Sequence, residues 1–402
     1  MELSLSDRVN AVAPSVTLVV DSKAKAMKAA GIDVIRYGAG EPDFPTPEAI
    51  VNAAIEAAKD SKNHKYTPTV GLPEFREGIA RKTLRDSGYE ITPDQVIVTN
   101  GGKQAVYESF QAVINPGDEA IIPAPYWVTY PEAVKLAGGT PVFVTATAEQ
   151  GYVPTLEQIE SARTERTKAI IINSPNNPTG AVWPAETLKA IGEWALEHGI
   201  WVISDEIYEH LVYDGVKTAH IGALVPELRP QLLVLNGLAK TYAMTGWRVG
   251  WMIADPRVIK AVSKLQGHMT GNVDDVAQRA GIEAVNGPLD AAAMMREAFD
   301  RRRRAIVGAL NSIPGVSCVM PKGAFYAFAD VHELLGRPVG PQGTVSATST
   351  DLAEALLNEA RVAAVPGEAF GMPGYMRFSY ALADDDLAEG MRRFKKWVEE
   401  TH

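Results

Sequence analysis

The 402-residue chain has a single cysteine, Cys318, so it can close no internal disulfide and offers no cysteine cluster to a metal. No apolar run approaches the roughly 20 residues that a membrane-spanning helix needs. Positive charge is not in excess: 39 Lys and Arg stand against 49 Asp and Glu, a formal net charge of −10. That balance argues against a nucleic-acid surface built on net charge and leaves room only for a local basic pocket. The opening MELSLSDRVNAVAPS lacks the basic segment followed by an apolar one that marks a secretory signal. There is no internal repeat and no low-complexity tract. These exclusions predict a cytoplasmic globular protein with no metal site and neither membrane nor nucleic acid as partner.

What is present is ordinary in bulk, with 46% hydrophobic and 22% charged residues. The length suits one large domain plus a smaller one. Between residues 96 and 254 the short apolar runs QVIVTN, EAIIPAP, TPVFVTA, KAIIIN, WVISDE, QLLVLNG and GWMIA alternate with helical patterns. The runs are nearly continuous rather than alternating, as in strands covered on both faces of a parallel sheet, so the fold class is α/β with a mostly parallel, doubly wound sheet. Thr46 is the expected N-cap of the helix TPEAIVNAAIEAAKD, with Pro47 in its first turn, and Gly199 the expected C-cap of PAETLKAIGEWALEHG. Beyond residue 285 a helical pattern of over twenty residues is expected to run until Pro314 and Gly315 stop it, and a smaller α+β part follows. The RRRR at 301–304 is expected on a solvated helix face. Residues 336–349, GRPVGPQGTVSATS, are expected to be a mobile surface loop.

Ligands of a doubly wound sheet gather at the carboxyl ends of its strands. There VIVTN runs into GGKQ, IIIN into SPNNPTG, WVIS into DEIYEH and LLVLN into GLAK. Glycines let backbone approach an anion, and a helix N-terminus offers it free N–H groups. Lys240 can form an imine with an aldehyde, and Asp205 can keep a ring nitrogen protonated. An asparagine and a tyrosine can hold a phenolic oxygen, while the GGK turn and Arg248 can hold a phosphate. These needs are those of pyridoxal 5′-phosphate. Taken singly, each residue has a plainer reading: Trp127 and Tyr208 as core aromatics, Asp205 as a helix cap, Tyr66 as surface packing, Arg377 as a strand arginine, Lys240 as an exposed cation.

In order and spacing, YGAGEPDFPTP, KYTPTVGLPEFRE, TNGGKQA, PAPYWVTYPE, NSPNNPTGAV, SDEIYEHLVYDG, NGLAKTYAMTGWRVG, KGAFYAF and MRFSYA resemble the fold-type-I, class I aminotransferases, nearest the bacterial aspartate-type enzymes. The resemblance covers nearly the whole chain. It implies a fold-type-I transferase divided into residues 1–48 (N-terminal arm and part of the small domain), 49–288 (large cofactor domain) and 289–402 (small domain). Under it, Lys240 holds the cofactor and moves the proton, Asp205 pairs the ring nitrogen, and Tyr208 with Asn177 binds the ring oxygen. Gly102, Lys103 and Arg248 serve the phosphate, and Trp127 stacks on the ring. Tyr66 reaches the neighbouring subunit's phosphate, which implies a homodimer with shared sites. Arg377, helped by the Gly40 backbone, grips the substrate α-carboxylate. The Asn177–Pro178 bond is expected to be cis.

Lys103 favours dicarboxylates such as aspartate or glutamate, with 2-oxoglutarate or oxaloacetate receiving the amino group. Thr67 together with Lys103 fits the members that also convert prephenate to arogenate. Trp127 and Asn177 complete the expected substrate contacts. Where relatives carry a Ser/Thr-rich stretch this chain has HMTGNVDDVAQ; Thr270 and Asn272 are the candidates to touch substrate, and Asp274 and Asp275 are expected to cap the next helix. Gly237 stands where a serine often serves the phosphate. The alternatives are an aromatic or broad-specificity aminotransferase, a lyase using the same cofactor residues, and a non-catalytic cofactor-binding regulator. The last is disfavoured because the pattern begins by residue 37.

Overall fold

The computed structural model describes residues 3–400; the first two positions of the 1–48 segment and the last two of 289–402 lie outside the described residues. All the apolar runs quoted between 96 and 254 become strands of one sheet: β1 (Val96–Thr99), β2 (Glu119–Ala124), β3 (Thr140–Thr145), β4 (Thr167–Asn173), β5 (Trp201–Asp205), β6 (Leu232–Gly237) and β7 (Gly250–Ile253). The order is β1-β7-β6-β5-β4-β2-β3. β7 runs antiparallel to both its neighbours, and every other pairing is parallel.

The continuous apolar runs are explained by two cores, one on each face. Along β4, Ile170 and Ile172 enter one cluster while Ala169 and Ile171 enter the other. The two-residue side-chain period of a strand makes that split, so every position must be apolar. Each such isoleucine contributes about 1.5–3 kcal/mol through burial.

Parallel pairing also gathers the polar ends. Asn173 lies opposite Asp205 in register, and Asp205 opposite Leu235, one residue before Asn236. Because β7 runs the other way, it starts at the same edge: Gly250 pairs with Thr99 on one side and Gly237 on the other. One edge of the sheet therefore carries the starts of the GGKQ, SPNNPTG, DEIYEH and GLAK turns.

A second, antiparallel sheet orders Val365–Pro366, Tyr375–Ser379, Tyr326–Asp330 and Ser317–Cys318. Its core includes Phe299, Ile306, Phe325, Phe378, Phe394 and Trp397, from the sheet and the helices Asp290–Leu310 and Asp384–Glu399. Ile35 and Tyr37 belong to the same cluster. Ile35–Arg36 pairs with Val362–Ala363, and the Tyr37 hydroxyl donates to the Leu387 carbonyl at 2.6 Å. Residues 38–46 thus leave this second body and cross to the edge of the large sheet.

Four sequence expectations are corrected here. Thr46 does not cap a helix: Pro47 is the cap residue of Glu48–Lys59, and the Thr46 hydroxyl donates to the Ala243 carbonyl at 2.8 Å while accepting from Trp247 Nε1 at 3.0 Å. The arginine run is only half solvated. Arg301 and Arg304 are exposed, whereas Arg303 is fully buried against Asp300, Asp214 and the Pro321 carbonyl, and Arg302 pairs with Asp43 and Asp384. The long helix ends at Leu310, before Pro314 and Gly315. Residues 336–349 are a fastened hairpin: Pro338–Val339 pairs with Thr344–Val345, Gly336 N bonds the Ser346 carbonyl, and Thr344 bonds Glu359. By contrast, Gly199 ends its helix in the left-handed conformation, the Asn177–Pro178 bond is cis, and Asp274 caps Asp275–Asn286 by accepting from Ala277 N at 2.8 Å. Asp275 is buried on Arg279 at 2.6 Å.

Candidate active site

A cavity of about 430 Å³ opens where the sheet edge meets residues 38–41 and the second sheet; its lining includes Gly40, Gly102, Lys103, Trp127, Asn177, Asp205, Tyr208, Lys240, Arg248 and Arg377. All ten are candidate site residues from the sequence, and the fold brings them together from seven separate segments of the chain. Tyr66, Thr67 and Thr270 do not line this cavity. Tyr66 is 97% exposed, Thr67 accepts from Gln278 Nε2 at 3.3 Å, and Thr270 accepts from Gln104 Nε2 at 3.0 Å.

Lys240 is half-buried, its ammonium donating to the Gly40 carbonyl and lying 5.8 Å from the Tyr208 ring centre and 5.7 Å from that of Phe325. Loss of water lowers its pKa to about 8, and nearby Arg377 and Arg248 push the same way against Glu41 and Asp205. Asp205 is buried at the end of β5. Its Oδ2 accepts from the Tyr130 hydroxyl at 2.7 Å and its Oδ1 from Ile207 N at 3.2 Å; the Asn173 amide holds its carbonyl at 3.0 Å. Burial raises the Asp205 pKa to about 6, against the two hydrogen bonds that favour the anion. No helix starts there, so Asp205 is not a helix cap.

Arg377 is buried on the middle of the second sheet. Its guanidinium donates to Asn177 Oδ1 at 2.9 Å and the Gly38 carbonyl at 3.0 Å, and packs over Tyr326 and Phe370 at 4.5 and 5.0 Å. Among the described residues no carboxylate pairs with it, and its buried Nε has no partner. Desolvation lowers its pKa. Tyr208 and Tyr326 share a 2.9 Å hydroxyl contact. Lys103 lies 5.2 Å from the Trp127 ring centre; desolvation and then Arg248 lower its pKa.

The turn after β1 is shaped for an anion. Gly101 has φ 79°, and a Cβ there would stand 2.5 Å from the Arg248 guanidinium. A Cβ on Gly250 would stand 2.6 Å from Gly102 N, so only glycine lets β7 pass. The helix Gly102–Val113 then points its first-turn amides at this spot. A cation-lined helix start, a half-desolvated lysine and a buried carboxylate fit the phosphate, aldehyde and ring nitrogen of pyridoxal 5′-phosphate.

Sequence reasoning gave no role to Tyr130, Asn236 or Tyr326. Tyr130 sits one turn beyond Trp127 in YWVTYPE, a helical spacing that could have flagged it. Asn236 ends β6, and Tyr326 lies inside the quoted KGAFYAF.

The family model for aminotransferase class I and II matches residues 32–394. An aspartate aminotransferase of Streptomyces avermitilis is 58% identical, covering 99% of this chain and 97% of that one. A probable aspartate/prephenate aminotransferase of Aquifex aeolicus is 44% identical, with 100% of both chains covered. The crystal structure of the aspartate aminotransferase from Rhizobium meliloti superposes with a TM-score of 0.95 at 38% identity over 100% of both chains. The chain therefore belongs to the class I and II aminotransferases, enzymes that depend on pyridoxal 5′-phosphate.

Proposed function

We propose that this chain is an aspartate aminotransferase. It takes the amino group of aspartate or glutamate and passes it to 2-oxoglutarate or oxaloacetate in two half-reactions. The observation that carries this reading is the joint lining of one cavity by Lys240, Asp205 and an Arg377 that no carboxylate pairs among the described residues, beside the Lys103–Trp127 pair. The division of the chain at 48/49 and 288/289, a cytoplasmic location and a homodimer with Tyr66 serving the partner's site are parts of the same proposal. The exposure of Tyr66 supports the last of them.

When bound, the cofactor supplies an aldehyde that takes up an amine and a ring that accepts electrons as a Cα–H bond breaks. Arg377 binds the α-carboxylate through paired N–H groups and so fixes which Cα bond faces Lys240. Lys240 Nζ takes the proton from Cα and returns one; its lowered pKa keeps a useful neutral fraction near pH 7 to 8. Asp205, steadied by Tyr130 and Ile207 N, holds a proton at the ring nitrogen. Tyr208 and Asn177 would hold the cofactor's ring oxygen, Gly102 and Arg248 would hold its phosphate, and Trp127 would pack against its ring. Lys103 meets the distal carboxylate, and this contact prefers dicarboxylates. Thr67 and Lys103, with the name carried by the Aquifex relative, favour prephenate as a second substrate; an assay with prephenate and aspartate that yields no arogenate removes that reading.

Stopped-flow absorbance of the holoenzyme, mixed separately with aspartate, glutamate, phenylalanine and alanine, tests the proposal. Fast loss of the lysine-bound cofactor band with the two dicarboxylates alone is expected. Equal or faster conversion by phenylalanine moves the assignment to an aromatic or broad-specificity enzyme.

A further inference from the structure

Tyr66, Thr67, Thr270 and Asn272 all miss the cavity, and the 66–72 loop and 271–273 turn beside them are joined by two fully buried glutamines. Gln266 Nε2 donates to the Thr69 carbonyl at 2.9 Å, the Val98 carbonyl at 3.0 Å and the Gly271 carbonyl at 3.1 Å. Gln278 accepts from Leu72 N at 2.8 Å and donates to the Val273 carbonyl at 2.8 Å and Thr67 Oγ1 at 3.3 Å. Both side chains have 0% exposure. The packing around them is tight: Gly71 has φ 103°, and a Cβ there would stand 2.3 Å from Val98 and 3.1 Å from Gln278 Oε1. A third glutamine, Gln104, accepts from Asn100 N at 2.8 Å and donates to Thr270 Oγ1 at 3.0 Å.

Buried amides with this many backbone partners are costly to place unless the bonds are made, and they hold geometry once made. Here they join the 66–72 loop to the 271–273 turn, and through Gln104 to the turn that opens the chain's own phosphate cradle. None of the three glutamines lines the cavity. The loop they hold nonetheless presents Tyr66 outward at 97% exposure. A loop this firmly based, displaying a bare aromatic away from its own site, is built to deliver that side chain elsewhere.

We propose that Gln266 and Gln278 are positioning residues for the partner subunit's active site: they fix Tyr66, Thr67 and Thr270 as one unit that a second copy of this chain receives. This rests on the shared-site homodimer proposed above. The consequence is directional. A defect in the glutamine brace damages catalysis in trans and spares the site of the chain that carries it.

Hybrid dimers, co-expressed with two tags and purified through both, read that direction. One chain carries Lys240→Ala, so a single functional site remains, using Lys240 of one chain and the displayed loop of the other. Gln278→Met placed in the Lys240→Ala chain is expected to raise the KM for aspartate about tenfold at the surviving site, as loss of a buried hydrogen bond near a contact would. The same substitution in the Lys240-intact chain is expected to change KM less than about twofold. Gln278→Asn serves as the milder variant if Gln278→Met impairs folding, and Gln266→Met in the same two placements tests the other glutamine. Equal effects from either chain, or none from either, overturn the proposal. Tyr66→Phe in the same two placements separates the underlying reading. If Tyr66→Phe acts only in trans while the glutamine variants do not, the brace fails and the shared site stands. If Tyr66→Phe has no effect in trans, both fall.

Discussion

Two buried arginines in this molecule are satisfied in opposite ways. Arg303 is surrounded by its own chain's charges, with Asp214 at 2.9 Å, Asp300 at 2.5 Å and the Pro321 carbonyl at 2.7 Å, and lies over the Tyr213 ring. Arg377 is equally buried, but its partners are an amide oxygen and a backbone carbonyl, and two aromatic faces flank it. Burying a cation is costly unless a counter-charge comes with it. At Arg303 the fold supplies that charge, and the residue is structural. At Arg377 no described residue supplies it; desolvation lowers the pKa, and the guanidinium keeps an affinity for a carboxylate that must arrive from outside. Lys82, buried between Glu209 and Asp86, belongs with Arg303; Lys240, with its pKa lowered to about 8, belongs with Arg377.

The sharpest contrast is between the two classes of cation. Lys240→Ala is expected to slow the aspartate half-reaction by about 10⁴-fold, the upper range for a positioned proton carrier, while leaving thermal unfolding little changed. Arg303→Met is expected to keep activity per folded molecule and to cost about 2–3 kcal/mol in denaturant unfolding. That is below the full penalty for breaking a buried pair, because Asp214 and Asp300 are partly solvated.

Asp205 tests the same trade from the anionic side. Its pKa is raised from 3.8 to about 6, so the folded state favours the protonated form and the buried anion counts against folding above that pH. Asp205→Asn is therefore expected to make the apoprotein more stable at pH 8, by about 1–3 kcal/mol, with the gain shrinking as pH falls below 6. Its activity should drop about 10²–10³-fold. Chemical unfolding at pH 5 and pH 8 gives the sign; a loss of stability at pH 8 contradicts it.

Lys240 gives a kinetic counterpart. The amine that captures the cofactor aldehyde must be neutral, and its pKa is lowered from 10.5 to about 8. Cofactor incorporation into the apoprotein, followed by absorbance, should speed up as pH rises toward 8 and level off beyond it. A rise continuing unchanged to pH 10 would mean that the lysine is not desolvated.

The smallest effect concerns Thr46. Thr46→Val removes the bonds to Ala243 and Trp247 and is expected to cost about 1–2 kcal/mol. The loss should appear as faster hydrogen exchange in the Lys240 loop rather than at the start of Glu48–Lys59. Fraying confined to that helix would restore the capping role that the sequence suggested.

These cases mark what was legible beforehand. The strands were, because burial on both faces forces continuous apolar runs, and the strand-end residues followed from parallel topology. Thr46 was misread because capping rules look a few residues along the chain, while its acceptor Ala243 lies on the lysine loop. The arginine run was misread for the same reason: Asp43, Asp214 and Asp384 come from three distant segments. The 336–349 hairpin looked like a loop because its glycines mark turns equally well in either state. Tyr130 escaped notice because its importance lies in the 2.7 Å bond to Asp205, and composition and period carry no trace of such a pairing.

The most direct measurement of the central claim is the affinity of the holoenzyme for succinate, a dicarboxylate with no amine to react, titrated by the cofactor absorbance in the wild type, Arg303→Met and Arg377→Met. Wild type and Arg303→Met should bind alike, and Arg377→Met should bind about 10²-fold or more weakly, as expected when one partner of a desolvated charge pair is removed. Unchanged binding by Arg377→Met, or an equal loss in both variants, would contradict the distinction between a cation the fold has neutralised and one it keeps for substrate.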